Sequence, residues 1–321
     1  MAAPGAVTER ATALVADRRP AAESIGRELA GLIDEPDTFT ERLAAGFREL
    51  ADPDYALEQR RVAPDLGPAF GVRWPLMAAV ERGFRAAARR ERVDGRWLHV
   101  VDRLFREPEL EHRWFAFGLL GRLVLVDPER TWQLLRRAAR ESGDWITVDA
   151  LAHPVGRGVL NEPYRWAELE QLVYSPSQWE RRLVGSTIAT IPYIDHRSGR
   201  DASVLDHALP IVRDLMGDAE ADVQKALAWA LRSLTVIDRR AVERFLETEA
   251  ETAAATADGH RAWVIRDVLA KVDPAVAADI RSRLEGIKRR ADAPATSRAA
   301  DTASRFADLP LGARLADPPL I

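Results

Sequence analysis

The sequence predicts an all-α fold made of consecutive helix pairs, and three observations carry that prediction. Alanine and leucine are abundant, while valine and isoleucine never alternate with polar residues over a long run, so the periodicity is helical. The 19 glycines in 321 residues are too few for the tight turns of many hairpins. Amphipathic patterns follow one another from about residue 21, with proline and glycine falling mostly between them.

In chain order the patterns predict helices over 21–33, 38–51, 75–90, 96–106, 110–125, 128–140, 145–153, 163–173, 177–191, 201–216, 219–234, 238–249, 259–271 and 274–289. Residues 1–20 carry Arg10, Arg18 and Arg19 without an apolar run and are expected to be flexible. Ser142, Gly143 and Asp144 supply cap chemistry for the helix at 145, and Pro154 is expected to stop it. Pro192 to Asp201 breaks the periodicity and reads as a surface loop. Residues 291–321, with Pro294, Pro310, Pro318 and Pro319, are expected to be poorly ordered, or draped on the body through Leu309, Leu311 and Leu315. The expected organisation is thus a single domain over 21–290.

Trp114, Trp145 and Trp179 recur at spacings of 31 and 34 residues, and the helix containing Trp229 follows. Such spacing fits stacked helix pairs of the HEAT type, forming a curved solenoid. In that arrangement the second helix of each pair lines one concave surface, so distant residues converge without long loops.

Charge and composition bound the chemistry. A net charge of -4 excludes nucleic-acid binding through the overall field but leaves room for a local basic face. Arginine supplies nearly all of the positive charge, Lys225, Lys271 and Lys288 being the only lysines. The absence of cysteine removes disulfides, thiolate zinc sites, iron–sulfur clusters and thiol nucleophiles. The six histidines are dispersed, so no metal and no cofactor is expected. No apolar stretch approaches membrane-spanning length, which predicts a cytoplasmic protein without a membrane partner.

One constellation stands out. Trp145 and Asp149 lie four residues apart and so share a helical face, close to a helix N-terminus whose dipole attracts negative charge. Arg182 lies one turn after Trp179, with Arg181 beside it, and only one of the two can face a common groove. Trp229 sits among Ala226, Ala228 and Ala230. Taken singly, each indole is better explained by core packing, with Asp149 paired to a neighbouring arginine. Arg73, Arg136, Arg137, Arg140 and Lys225 are the further candidate cations, each also readable as a solvated helix face.

Taken jointly, the residues resemble the AlkD-like alkylpurine DNA glycosylases, a family of HEAT-like repeat enzymes. The resemblance spans roughly 55–245. It rests on Asp144-Trp145-x-x-Val148-Asp149, on Trp179-x-x-Arg182, on the run from Gln224 to Arg232, and on Gly71-Val72-Arg73-Trp74-Pro75 with Glu107-Pro108-Glu109 and the helix from Glu111. It implies a monofunctional, monomeric glycosylase acting on duplex DNA that carries N3- or N7-alkylated purines. Asp149 would be the catalytic carboxylate, Trp145 and Trp229 would cradle the lesion-bearing nucleotide, and Arg182 would hold the backbone, with Arg181, Arg73, Lys225 and Arg140 as further DNA contacts. The competing reading is a non-catalytic helical scaffold that binds protein partners or damaged DNA.

Overall fold

The computed structural model describes residues 4–90, 95–290 and 292–304. The helices are α1 (Pro4–Ala30), α2 (Pro36–Leu50), α3 (Pro53–Val62), α4 (Trp74–Ala87), α5 (Gly95–Leu104), α6 (Leu110–Leu123), α7 (Pro128–Glu141) and α8 (Trp145–Asn161). They continue with α9 (Arg165–Gln171), α10 (Gln178–Ile194), α11 (Ser203–Leu215), α12 (Ala221–Leu234), α13 (Arg239–Thr256), α14 (Gly259–Val268), α15 (Pro274–Arg283) and α16 (Arg298–Ser304). Among the described residues there is no strand, and the protein is an all-α helical-repeat fold. No helix there is long and apolar enough to cross a membrane.

The chain divides into two compact units, Met1–Pro154 and Val155–Ile321, so the boundary falls inside the 21–290 segment expected to be one domain. In the second unit α10, α12 and α14 pack side by side in one row, while α11, α13 and α15 form the other. This alternation is what stacked helix pairs require, because each pair buries its apolar stripe against the next. Gly185 allows the α10–α12 approach, since a Cβ there would lie 2.9 Å from the backbone of Ala226. The first unit has an aromatic centre in which Phe84 meets Phe39, Phe115 and Trp97 at centroid distances of 6.0, 5.7 and 5.1 Å. Such edge-on pairs are worth about 0.5–1.5 kcal/mol each beyond the area they bury.

The N-terminal segment, expected to be flexible, is helical from Pro4. Its second half buries Ala22, Ile25 and Leu29 against α4. Gly26 and Gly83 make the crossing close: a Cβ at Gly26 would sit 2.0 Å from the Val80 carbonyl oxygen, and one at Gly83 2.1 Å from that of Glu23. Its first half lacks an apolar stripe and is held by arginines instead. Arg10 pairs with Asp54, and Arg18 Nη1 donates to the Ala51 carbonyl at 2.6 Å.

Proline proves a weaker stop than its chemistry suggests. α8 runs through Pro154 to Asn161 and α10 through Pro192 to Ile194, correcting the ends expected at 153 and 191. A proline costs one backbone bond and crowds the preceding turn, but Val155, Gly156 and Val159 beyond Pro154 are buried, and that burial carries the helix on. The loop expected at 192–201 is correspondingly shorter and contains a 3₁₀ turn at Ser198–Arg200. α3 was missed for the opposite reason. Its only buried residue is Gln59, and Leu57 and Val62 face solvent, so it has no stripe to detect. It forms because Asp52 caps it, accepting from Asp54 N at 3.2 Å, and Pro53 starts it.

Of the C-terminal tail, residues 292–304 are described and Leu309, Leu311 and Leu315 lie outside the described residues. Ser297 Oγ donates to the Asp214 carbonyl at 2.9 Å, Thr296 Oγ1 donates to Asp258, and Ala299 is fully buried.

The connection from α3 to α4 hangs on one side chain. Glu111 of α6, completely buried, accepts from the amides of Phe70 at 2.9 Å, Gly71 at 2.7 Å and Val72 at 2.9 Å. Burial pushes its carboxyl above the ordinary range, against the pull of those amides. Gly71 turns here at φ +81°, where a Cβ would meet the Asp52 carbonyl at 2.5 Å. Replacing the acceptor in Glu111→Gln turns an NH2 toward one of these amides. We expect urea denaturation of that variant to show a loss of about 1–3 kcal/mol, the cost of a buried unsatisfied donor.

Candidate functional site

α8 begins where the sequence predicts, and Asp144 is the reason. Its Oδ1 accepts from Thr147 N at 2.8 Å and its Oδ2 from Thr147 Oγ1 at 2.6 Å, so the buried carboxylate closes the first turn from outside it. Ser142 ends α7 by donating to the Ala138 carbonyl at 2.8 Å. Trp145 is therefore the first residue of α8, and Asp149 follows one turn later on the same face.

Both side chains are half-buried. Trp145 Nε1 donates to the carbonyl of Val62, the last residue of α3, at 3.2 Å. The helix without an apolar stripe thus orients the indole by its polar edge. Asp149 lies in the second turn of α8, where the backbone amides that open the helix favour an anionic neighbour.

In the second unit α10 and α12 position the other candidates. Arg181 is buried and fully engaged: Nε donates to Asp218 Oδ2 at 2.7 Å, Nη2 to Oδ1 at 3.4 Å, and Nη1 to the carbonyls of Ser175 and Pro176 at 2.8 and 3.2 Å. Withdrawing this guanidinium would strand Asp218 in the interior. Arg182 is also buried, its Nη1 donating to the Asp222 carbonyl at 2.7 Å and lying 3.6 Å from Asp222 Oδ1. The same Oδ1 takes Lys225 Nζ at 3.0 Å, and Lys225 is exposed. Asp222, Lys225 and Trp229 fall at successive turns of one α12 face, with Trp229 half-buried. Arg182 therefore fixes the first turn of the face that presents Lys225 and Trp229.

Arg73 is engaged as well. Its Nε donates to Asp52 Oδ2 at 2.8 Å, and its guanidinium lies over the Tyr55 ring at 4.8 Å. Burial works to raise the Asp52 carboxyl, but the hydrogen bond and charge of Arg73, with nearby amides, outweigh it and hold the group below its ordinary range. Arg73 ties α4 to the cap of α3. Arg140 is exposed near the end of α7, Arg136 is half-buried, and Arg137 bridges Asp102 and Glu141 at 2.7 and 2.8 Å.

Two features went unremarked in the sequence. A cavity of about 630 Å3 lies between α1 and the start of α4, with Tyr55, Trp74 and Arg19 in its wall; it needs α1, which the pattern did not reveal before residue 21. Glu107, Glu109 and His112 come together at the turn into α6. Burial holds the His112 imidazole below its usual range, with Glu109 and Glu107 pulling the other way. The spacing Glu-Pro-Glu-x-x-His was the available signal, overlooked because only histidine pairs were weighed.

With the arrangement in place, comparison with known proteins is informative. The chain belongs to the DNA alkylation repair enzyme family, which it matches over residues 43–259, two thirds of its length. The match runs from within α2 to the first residue of α14 and takes in every candidate residue above, while α1 lies before it. No curated protein matches the chain. The role in DNA alkylation repair is thus a family property, in line with the resemblance drawn from the Trp145–Asp149 and Lys225–Trp229 motifs.

The cap that fixes Trp145 and Asp149 is open to test. Asp144→Ala removes both bonds to Thr147, and chemical denaturation is expected to show a loss of about 0.5–2 kcal/mol. Thr147→Ala, which keeps the backbone bond, should lose less.

Proposed function

We propose that the protein is a monofunctional DNA glycosylase that hydrolyses the N-glycosidic bond of N3- or N7-alkylated purines in duplex DNA, acting as a monomer in the cytoplasm and on the nucleoid. The observation that carries this reading is the Trp145–Asp149 face at the capped start of α8, in a chain of the DNA alkylation repair family. An alkylated purine bears positive charge, so its glycosidic bond is already weak and the departing base needs no acid. One carboxylate then suffices. Asp149 stabilises the oxocarbenium-like sugar and orients the attacking water, whereas ordinary glycoside hydrolysis uses two carboxyl groups.

In this reading Trp145 and Trp229 attract the cationic nucleotide through their indole faces, each contact worth about 0.5–2 kcal/mol. The Nε1 bond of Trp145 to Val62 supports that role, because it orients the indole by its polar edge. Lys225 and Arg140, both exposed, contact backbone phosphates. Arg182 contributes through Asp222, which it shares with Lys225.

Duplex DNA carrying 7-methylguanine, incubated with the protein at a fixed salt concentration, should release free base. Asp149→Asn should cut the single-turnover rate at least about 10²-fold, the scale of losing a principal electrostatic stabiliser. No release by the wild type would remove the activity for this lesion, and equal release by the variant would remove Asp149 from the chemistry. Binding without release would instead favour a damage-recognition protein. A separate expectation concerns Lys225→Ala. It should weaken duplex binding evenly across sequences and lower the slope of log K against log salt by about 0.9, the value for one phosphate contact.

A further inference from the structure

The turn between α5 and α6 brings Glu107, Glu109 and His112 together so that one ligand atom from each lies within 4.8 Å of the others. His112 is buried, its side chain 1% exposed, against Phe70 and Phe47 at centroid distances of 5.5 and 5.7 Å. Neither of its ring nitrogens makes a hydrogen bond, and neither does Glu109 Oε2, although that oxygen lies 3.3 Å from His112 Nδ1. A buried polar atom left without a partner costs about 1–3 kcal/mol, and such atoms are few in folded proteins. Two of them facing each other without bonding call for a third body that bonds both.

The distance says what that body is. Tetrahedral zinc with bonds of about 2.1 Å sets neighbouring ligand atoms about 3.4 Å apart, close to the 3.3 Å between Nδ1 and Oε2. One imidazole and two carboxylates suit zinc or a similar transition ion better than magnesium or calcium, which prefer oxygen alone. The charges around the turn are also arranged for it. Glu107 gives one oxygen to Arg103, which also donates to Asp37 Oδ1 at 2.6 Å, and Arg113 Nη2 donates to the Pro108 carbonyl at 3.3 Å. Arg103 thus orients Glu107 from behind while leaving it a second oxygen, as outer partners of metal ligands do. Glu107 and Glu109 are about a quarter exposed, which gives an ion a path in from solvent.

We propose that Glu107, Glu109 and His112 form a binding site for a divalent transition-metal ion of the zinc class, with water completing its coordination. The ion clamps the α5–α6 turn onto the first turn of α6, one residue from Glu111.

Calorimetric titration of the chelator-treated full chain tests this. Zn2+ should bind one to one and raise the melting temperature, Mg2+ should do neither, and His112→Ala should weaken zinc binding at least about tenfold. Absence of saturable one-to-one binding would overturn the site, as would unchanged binding in His112→Ala, which would place the ion on a surface histidine such as His99 or His153. Should His112→Ala fail to fold, Glu109→Gln serves, because Glu109 makes no side-chain cap bond to α6. With Co2+ in place of Zn2+, the visible ligand-field bands should change in that variant, and an unchanged spectrum would overturn the assignment.

Discussion

A chain of helices joined by short connectors must satisfy the amide groups left open at every helix start, and the rest of this structure depends on how it does so. At several of them it uses carboxylates that are themselves buried. Asp144 closes α8, Asp52 closes α3, Asp258 takes the amides of His260 and Arg261 at 2.9 Å each, and Glu111 takes three amides of the segment before α4. Asp218 takes the amide of Glu220 at 2.9 Å while binding Arg181. Asp144, Asp52 and Asp258 fix where α8, α3 and α14 begin, while Glu111 and Asp218 hold the segments that lead into α4 and α12. Trp145 and Asp149 are placed by such a cap, and Arg73 and Trp74 by such a tether.

The same device changes how the formal charge should be read. Among the described residues more carboxylates than guanidinium groups are buried, so the accessible surface is less acidic than a net charge of -4 suggests. Exposed cations such as Lys225 and Arg140 act against that milder background.

The fold was legible wherever an apolar stripe exceeded two turns, as in α6, α7 and α12, since periodicity reports burial directly. α3 and the first half of α1 escaped because polar caps and arginine bonds hold them, and α8 outran Pro154 because burial beyond it outweighs one lost bond. The Trp145–Asp149 face was legible because its residues share one helix. The partners of Arg181 and Arg73 were not legible, because sequence cannot tell a guanidinium facing solvent from one facing a buried carboxylate 37 or 21 residues away. Glu107, Glu109 and His112 lie across a turn that the helical count does not cover, so only their Glu-Pro-Glu-x-x-His spacing pointed to them.

The paired glycines at the α1–α4 crossing carry one more consequence. Gly26 and Gly83 each exist to admit the other helix's backbone, at 2.0 and 2.1 Å from where a methyl group would stand. They therefore act as one pair: a side chain at either position would force α1 and α4 apart and uncover the apolar residues of both helices together.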